Sequence, residues 1–117
     1  MSDPKDAREW RFYITDMIEF CERVLSFTQG ISREEFVTDP MCYDATVRNI
    51  ELIGEAATHV PASIRKNAES IPWRMVIATR NQLIHGYAGI DDDVLWSIIE
   101  TDIPALLNAL KKLQKSS

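Results

Sequence analysis

The residues best suited to chemistry lie close together in a largely apolar, helix-forming stretch, residues 71–87, which holds Arg80, Asn81, His85 and Tyr87. An arginine offers a planar fork of N–H donors that suits a phosphate. A histidine can carry a proton near neutral pH, and an asparagine can orient either group or a substrate. In RNA the 2′-hydroxyl is itself the nucleophile, so a protein needs only a proton carrier and a stabiliser of charge. The set therefore suits cleavage of an RNA phosphodiester without a metal ion, although the same residues could serve only to tie helices together.

Helical geometry restricts how these side chains can meet. At about 100° per residue, Asn81 and His85 lie on one face, and Arg80 nearly superposes on Tyr87. Arg80 and His85 differ by roughly 140° on the same wheel, so they are not neighbours on a straight helix. They can converge if the helix distorts near Gly86, if the long arginine side chain reaches around, or if a second copy of the chain contributes. The third option predicts a composite cleft at a two-fold axis.

The elements that must position this stretch are all predicted to be helices, because apolar residues recur at spacings of three, four and seven and no segment alternates like a strand. Capping residues, Gly and Pro set the expected boundaries. The expected elements are a helix over about 4–29, a short helix opened by the capping box 32–35, a helix from 39–40 to about 59, a short helix or turn over 61–67, the key helix 72–86, and a last helix capped by 91–93. Pro104 predicts a kink or break between Glu100 and Pro104. We therefore expect an all-α fold, an antiparallel four-helix-type bundle with additional short helices.

Two surfaces of the long helices raise functional questions. The first helix has one apolar stripe for the core and a second, aromatic stripe that predicts a subunit contact: Tyr13, Phe20 and Phe27. In the second long helix, Arg48, Glu51 and Glu55 lie on one side at helical spacing. They either form a solvated face of paired charges, or Arg48 and Glu55 line the same cleft as Arg80.

Composition bounds the class of protein. The 117 residues suit a single domain, and neither an apolar run of membrane-spanning length nor a signal-peptide pattern is present, so we expect a cytoplasmic protein with no membrane association. Cys21 and Cys42 lack metal-ligand spacing, and we expect no metal site. A net charge of −5 argues against general nucleic-acid binding, but it allows a local positive pocket or a basic partner.

Residues 80–87, Arg-Asn-Gln-Leu-Ile-His-Gly-Tyr, resemble the Arg-x-x-x-x-His-x-Tyr motif of HepT-like proteins, a branch of the HEPN superfamily. Residues 47–57 resemble the second-helix signature of that family, and residues 71–74 and 95–104 fall in the family's order. The resemblance covers nearly the whole chain, and the motif shows no departure from the family pattern. It implies that residues 1–117 form one HEPN-like helical domain.

The resemblance also implies a function. Such proteins are dimeric helical bundles, and many are toxins of two-gene systems that act as ribonucleases without a metal ion or other cofactor. Arg80 and His85 would be the catalytic pair, with Asn81 as the polar residue after the arginine. Tyr87 would be the hydroxyl to which a minimal nucleotidyltransferase antitoxin transfers AMP, and the added phosphate would repel RNA and occupy Arg80. The alternative for Tyr87 is a half-buried phenol packed at a helix end.

Two other functions remain open at this point. The chain could be a non-catalytic partner that binds a nucleotidyltransferase or presents a nucleotide to it, which the acidic charge favours. It could also be a dimeric helical scaffold in which Arg80 and His85 only join helices. The second histidine, His59, lies at a helix C-terminus, where a cation suits the helix dipole, and we assign it no catalytic role.

Overall fold

A computed structural model describes residues 4–85 and 90–116, with side chains described from residue 9 onward. All regular structure in these residues is helical, which confirms the expected all-α class. The elements are α1 (Pro4–Thr28), α2 (Arg33–Thr38), α3 (Pro40–Thr58), α4 (Ala62–Lys66), α5 (Trp73–His85), α6 (Asp92–Ser97), a π-helical turn (Ile98–Asp102) and α7 (Ile103–Lys115). None of the described helices has the length and apolar character needed to cross a bilayer.

Local capping explains where the helices begin. Before α2, the Ser32 hydroxyl accepts a hydrogen bond from the backbone N–H of Glu35 at 3.1 Å, and the Glu35 carboxylate accepts one from the Ser32 N–H at 2.9 Å. The side chains of Asp39 and Asp91 accept hydrogen bonds from backbone N–H groups in the first turns of α3 and α6. Gly30 has a φ of 76°, a left-handed conformation that lets the chain turn sharply after α1.

The core forms where α3 packs between α1 and α5, while α1 also packs on α7. The apolar stripe expected on α1 is buried throughout, from Trp10 to Thr28. The second, aromatic stripe is only partly covered within the chain, since Tyr13 and Phe20 are half-buried and Phe27 is exposed. Its role as a subunit contact stays a prediction. The position of α5, and with it the site, is set by its packing on α3.

The last long helix takes the form of α6, the π-helical turn and α7 without an interruption. The kink or break expected between Glu100 and Pro104 is replaced by this wider turn, in which the N–H of Ile103 bonds to the carbonyl of Ile98. Pro104 then lies in the first turn of α7, where a missing N–H donor is tolerated. The distortion that proline requires is thus absorbed by a change of helix type.

Candidate functional site

Arg80 lies where α5 approaches α3 closely, opposite Gly54. A Cβ atom added to Gly54 of α3 would lie 2.2 Å from the Cβ of Arg80 and 2.8 Å from its Cγ. Only a glycine at position 54 leaves room for the start of the Arg80 side chain. The contact between the two helices therefore fixes the stem of this arginine.

The guanidinium of Arg80 is held by two side chains of its own chain. Its Nη2 donates to the carboxylate of Glu55 in a close ion pair, and its Nη1 donates to Asn81 Oδ1 at 3.0 Å. The Nε atom is buried without a hydrogen-bond partner, and 26% of the side chain is exposed. Since a guanidinium has five N–H donors, one N–H on each terminal nitrogen remains for a further acceptor. The structure thus brings Glu55, Arg80 and Asn81 together.

His59 joins the same group of side chains from the end of α3. Its Nε2 lies 3.5 Å from the second oxygen of Glu55, and its ring stacks on Tyr13 with 4.9 Å between the ring centres. A row of contacting groups therefore runs from Tyr13 through His59 and Glu55 to Arg80. The spacing of four between Glu55 and His59 was the signal in the sequence that could have revealed this contact.

His85 is the exposed last residue of α5 and lies on the other side of Asn81 from Arg80. The helix is regular from Trp73 to His85, so Asn81 and His85 share one face, about 6 Å apart along the axis. Asn81 is also exposed, and it contacts Arg80 directly. No hydrogen bond joins His85 to Arg80 or Asn81 within the described part of the chain. Tyr87 lies outside the described residues.

Arg48 takes a separate position on α3. Its Nη1 lies 3.4 Å from the carboxylate of Glu51, and 67% of its side chain is exposed. It precedes Glu55 by seven residues, which is about 10 Å along the helix. Of the two residues proposed to line the cleft, the structure therefore brings only Glu55 to Arg80, while Arg48 pairs with Glu51.

The two cysteines, Cys21 and Cys42, lie in packed surroundings. Burial, with a smaller contribution from the charge of Glu22, raises the pKa of Cys21 to about 12, so this thiol stays protonated at physiological pH. Cys42 is half-buried and donates to the carbonyl of Phe27 at 3.3 Å. The described side chains contain no group of three or more His, Cys, Asp or Glu placed to hold a metal ion.

Comparison with known proteins gives a consistent picture. The family model described as "Ribonuclease HepT-like" matches residues 17–113. A protein named "Probable ribonuclease HepT" in Thermococcus cleftensis is 37% identical over 108 residues, which is 92% of this chain and 98% of that protein. A protein named "Putative RNase" in Caldanaerobacter subterraneus is 35% identical over 103 residues, covering 88% of this chain and 92% of the relative. A third, with the same kind of name in Methanocaldococcus jannaschii, is 34% identical over 99 residues, covering 85% and 91%. No solved structure matches the chain.

Proposed function

The chain belongs to the HepT-like ribonuclease family, and from this premise we propose that it cleaves RNA, as the toxin of a toxin–antitoxin pair in the cytoplasm. The observation that carries the proposal is that the family match includes all of α5, the helix that bears Arg80, Asn81 and His85. These are the residues whose side-chain types suit phosphodiester cleavage.

The proposed reaction needs no group beyond those of the protein and the RNA. The 2′-oxygen attacks the adjacent phosphorus, the bond from phosphorus to the 5′-oxygen breaks, and a 2′,3′-cyclic phosphate and a free 5′-hydroxyl result. His85 takes the proton from the 2′-hydroxyl and returns it to the leaving 5′-oxygen. Arg80 binds the non-bridging phosphate oxygens through its free N–H groups and stabilises the charge that develops on them.

Glu55 and Asn81 are positioning residues in this scheme. Glu55 holds one terminal nitrogen of Arg80 and Asn81 holds the other, which fixes the plane of the guanidinium before RNA arrives. A preorganised donor of this kind loses little entropy when it binds a phosphate. The pairing with Glu55 also offsets the charge of a half-buried arginine in the free protein.

We propose a homodimer as the active form, with α1, α3, α5 and the α6–α7 helix as an antiparallel four-helix-type bundle in each copy. Two observations support this arrangement. Arg80 is bound on the side of α5 that faces α3, whereas His85 is exposed on a different side of the same helix. A composite site would therefore let Arg80 of one copy and His85 of the other act on one phosphate. On α1, Phe12 and Phe27 are 69% and 39% exposed and Tyr13 and Phe20 are half-buried, so these aromatic side chains are accessible to a partner copy.

The proposal includes neutralisation by a minimal nucleotidyltransferase antitoxin that acts on Tyr87, and this part rests on the family resemblance alone. The phenolic oxygen would attack the α-phosphorus of ATP, the bond to pyrophosphate would break, and the phenol proton would pass to a base of the antitoxin. Intact mass after co-expression of the two proteins tests it. The added mass of one or more AMP groups, absent in Tyr87→Phe, is the expected result.

Cleavage of RNA in the presence of EDTA tests the central claim. We expect Arg80→Ala to lower the rate about 10²–10³-fold and His85→Ala about 10²–10⁴-fold, as for other charge stabilisers and proton carriers. His59→Ala is the matched control, because it removes the other histidine of the chain and should lower the rate far less. Circular dichroism of each variant separates loss of activity from loss of fold.

Equal rates for the wild type and both α5 variants, or an equal loss in His59→Ala and His85→Ala, would overturn the assignment.

One observation favours a second function, a non-catalytic partner of a nucleotidyltransferase: Arg80 is already engaged by Glu55 in a chain of net charge −5. A stable complex with the nucleotidyltransferase, combined with no cleavage by the free protein, is the result that this second function predicts.

A further inference from the structure

An open groove of about 660 Å³ lies between α4 and α5, on a different side of α5 from Glu55. Its polar lining includes Arg65 and Lys66 from α4 and Arg74 and Asn81 from α5. Apolar contact surface comes from the side chains of Ile77 and Ala78. The groove therefore combines three cationic side chains with an apolar floor.

The three cationic side chains of this groove differ from most of the other described arginines, which form ion pairs with carboxylates. Four described arginines form ion pairs, namely Arg23 with Glu19, Arg33 with Asp93, Arg48 with Glu51 and Arg80 with Glu55. Among the side chains that the structure describes, Arg65, Lys66 and Arg74 have no carboxylate within ion-pair distance, and the Nε of Arg65 is buried without a hydrogen-bond partner. In a chain of net charge −5, these three cations concentrate positive charge around one groove.

The groove shares one stripe of α5 with the proposed proton carrier, His85. Arg74, Ala78, Asn81 and His85 are spaced by four, three and four residues, which places them in one stripe along the regular helix α5. The stripe is about 16 Å long from Arg74 to His85. Asn81 belongs to both regions, since it lines the groove and accepts a hydrogen bond from Arg80.

We propose that this groove binds the backbone of the single-stranded RNA next to the scissile phosphate, and this inference rests on the proposed function. Arg65, Lys66 and Arg74 neutralise successive phosphates, and the apolar floor receives a base or ribose. The groove would hold the strand along α5 so that one phosphate reaches His85 and Arg80. Because the rest of the protein is acidic, the groove also directs RNA to this face.

Removal of two charges from the groove is the test, with a control that removes two lysine charges from a different surface. Lys66→Gln/Arg74→Gln and Lys112→Gln/Lys115→Gln change the net charge equally, and the control residues lie at the end of α7. For a short single-stranded RNA, we expect the groove variant to raise KM about tenfold with kcat within twofold of wild type. The control should change KM less than twofold.

Binding of the same RNA to His85→Ala proteins, measured over a range of salt concentrations, makes the test independent of cleavage. The groove substitutions should lower the slope of log Kd against log salt by about 1.4, which is about 0.7 for each phosphate that is no longer neutralised. Equal slopes and affinities in the two double variants would overturn the inference, even if Arg80→Ala and His85→Ala still abolish cleavage.

Two further outcomes separate the inference from the proposed function. Charge-dependent RNA binding in the groove by a wild-type protein that cleaves no RNA would support the groove and overturn the ribonuclease assignment. Loss of binding to an acidic protein partner in the groove variant, with unchanged RNA binding, would overturn the groove as an RNA site.

Discussion

The two sides of α5 treat their charged residues in opposite ways. On the side that packs on α3, Arg80 lies against Gly54 and its guanidinium is bound by Glu55. On the groove side, Arg74 is exposed and has no carboxylate partner in the described part of the chain. The first arrangement places a cation at a fixed point, and the second leaves a cation free for a ligand.

The difference suits the two tasks proposed for this short helix, which are to position Arg80 and to bind RNA. A half-buried arginine needs an acceptor from its own chain, because desolvation of an unpaired charge is unfavourable. An exposed arginine can donate its hydrogen bonds to water and needs no acceptor from its own chain. It can therefore bind a phosphate without first breaking an ion pair. Asn81 touches both regions and connects the fixed cation to the open face.

The largest expected effect on stability comes from a leucine introduced at the contact between α3 and α5, compared with a leucine introduced on the groove side of α5. Gly54→Leu should lower the free energy of unfolding by about 3 kcal/mol, because its Cβ would lie 2.2 Å from that of Arg80 and the helices would have to separate. Ala78→Leu adds a leucine to the open groove, and we expect a change within about 0.5 kcal/mol. Urea denaturation of both variants measures the contrast. Similar losses would show that α5 packs equally tightly on both sides.

A smaller effect is expected from the carboxylate that holds Arg80. Glu55→Gln should lower the free energy of unfolding by about 1 kcal/mol, since a half-buried guanidinium would lose its charged acceptor. Glu19→Gln removes the carboxylate of the solvent-exposed pair with Arg23 and should change stability by less than about 0.5 kcal/mol. Equal changes at low salt would mean that burial of Arg80 adds nothing to its pairing with Glu55.

The smallest expected effect on stability concerns a polar group that is buried without a hydrogen-bond partner. Unlike the exposed cations of the groove, such a group cannot use water as its partner. The Thr46 hydroxyl is buried without a hydrogen-bond partner, whereas the Thr28 hydroxyl donates to the carbonyl of Val24 at 2.8 Å. Thr46→Val should raise the free energy of unfolding by about 0.5 kcal/mol, and Thr28→Val should lower it by about the same amount. Thermal unfolding of the two variants checks the opposite signs. A loss of stability in Thr46→Val would show that its hydroxyl has a partner in solution.

The sequence predicted the helix starts well because capping is local. Ser32 and Glu35 satisfy each other's backbone groups across three residues, and Asp39 and Asp91 act within the turns that follow them. The buried stripe of α1 was equally predictable, since its periodicity lies within one helix.

The remainder of the site depends on contacts between distant segments. Glu55 and Arg80 are 25 residues apart, and their contact requires α3 and α5 to pack at Gly54. The cations of the groove come from α4 and α5, whose relative placement no spacing in the sequence fixes. Helical periodicity alone could assign Asn81 and His85 to one face, but it could not tell which face Glu55 would cover. The roles of Arg80, Asn81, His85 and Tyr87 in catalysis and modification stay predictions.

The π-helical turn has a consequence for comparing this chain with others. Leu95, Ile99 and Ile103 are all buried although they are spaced by four and four. In a plain α-helix, the eight residues from Leu95 to Ile103 would rotate the Ile103 side chain about 80° around the axis from that of Leu95. The π-helical turn absorbs one residue and reduces this angle to about 20°. A homologue one residue shorter here could bury the same three positions with an uninterrupted α-helix. A single-residue alignment gap between positions 98 and 102 would therefore mark a change of helical pitch and leave the core contacts of the helix in place.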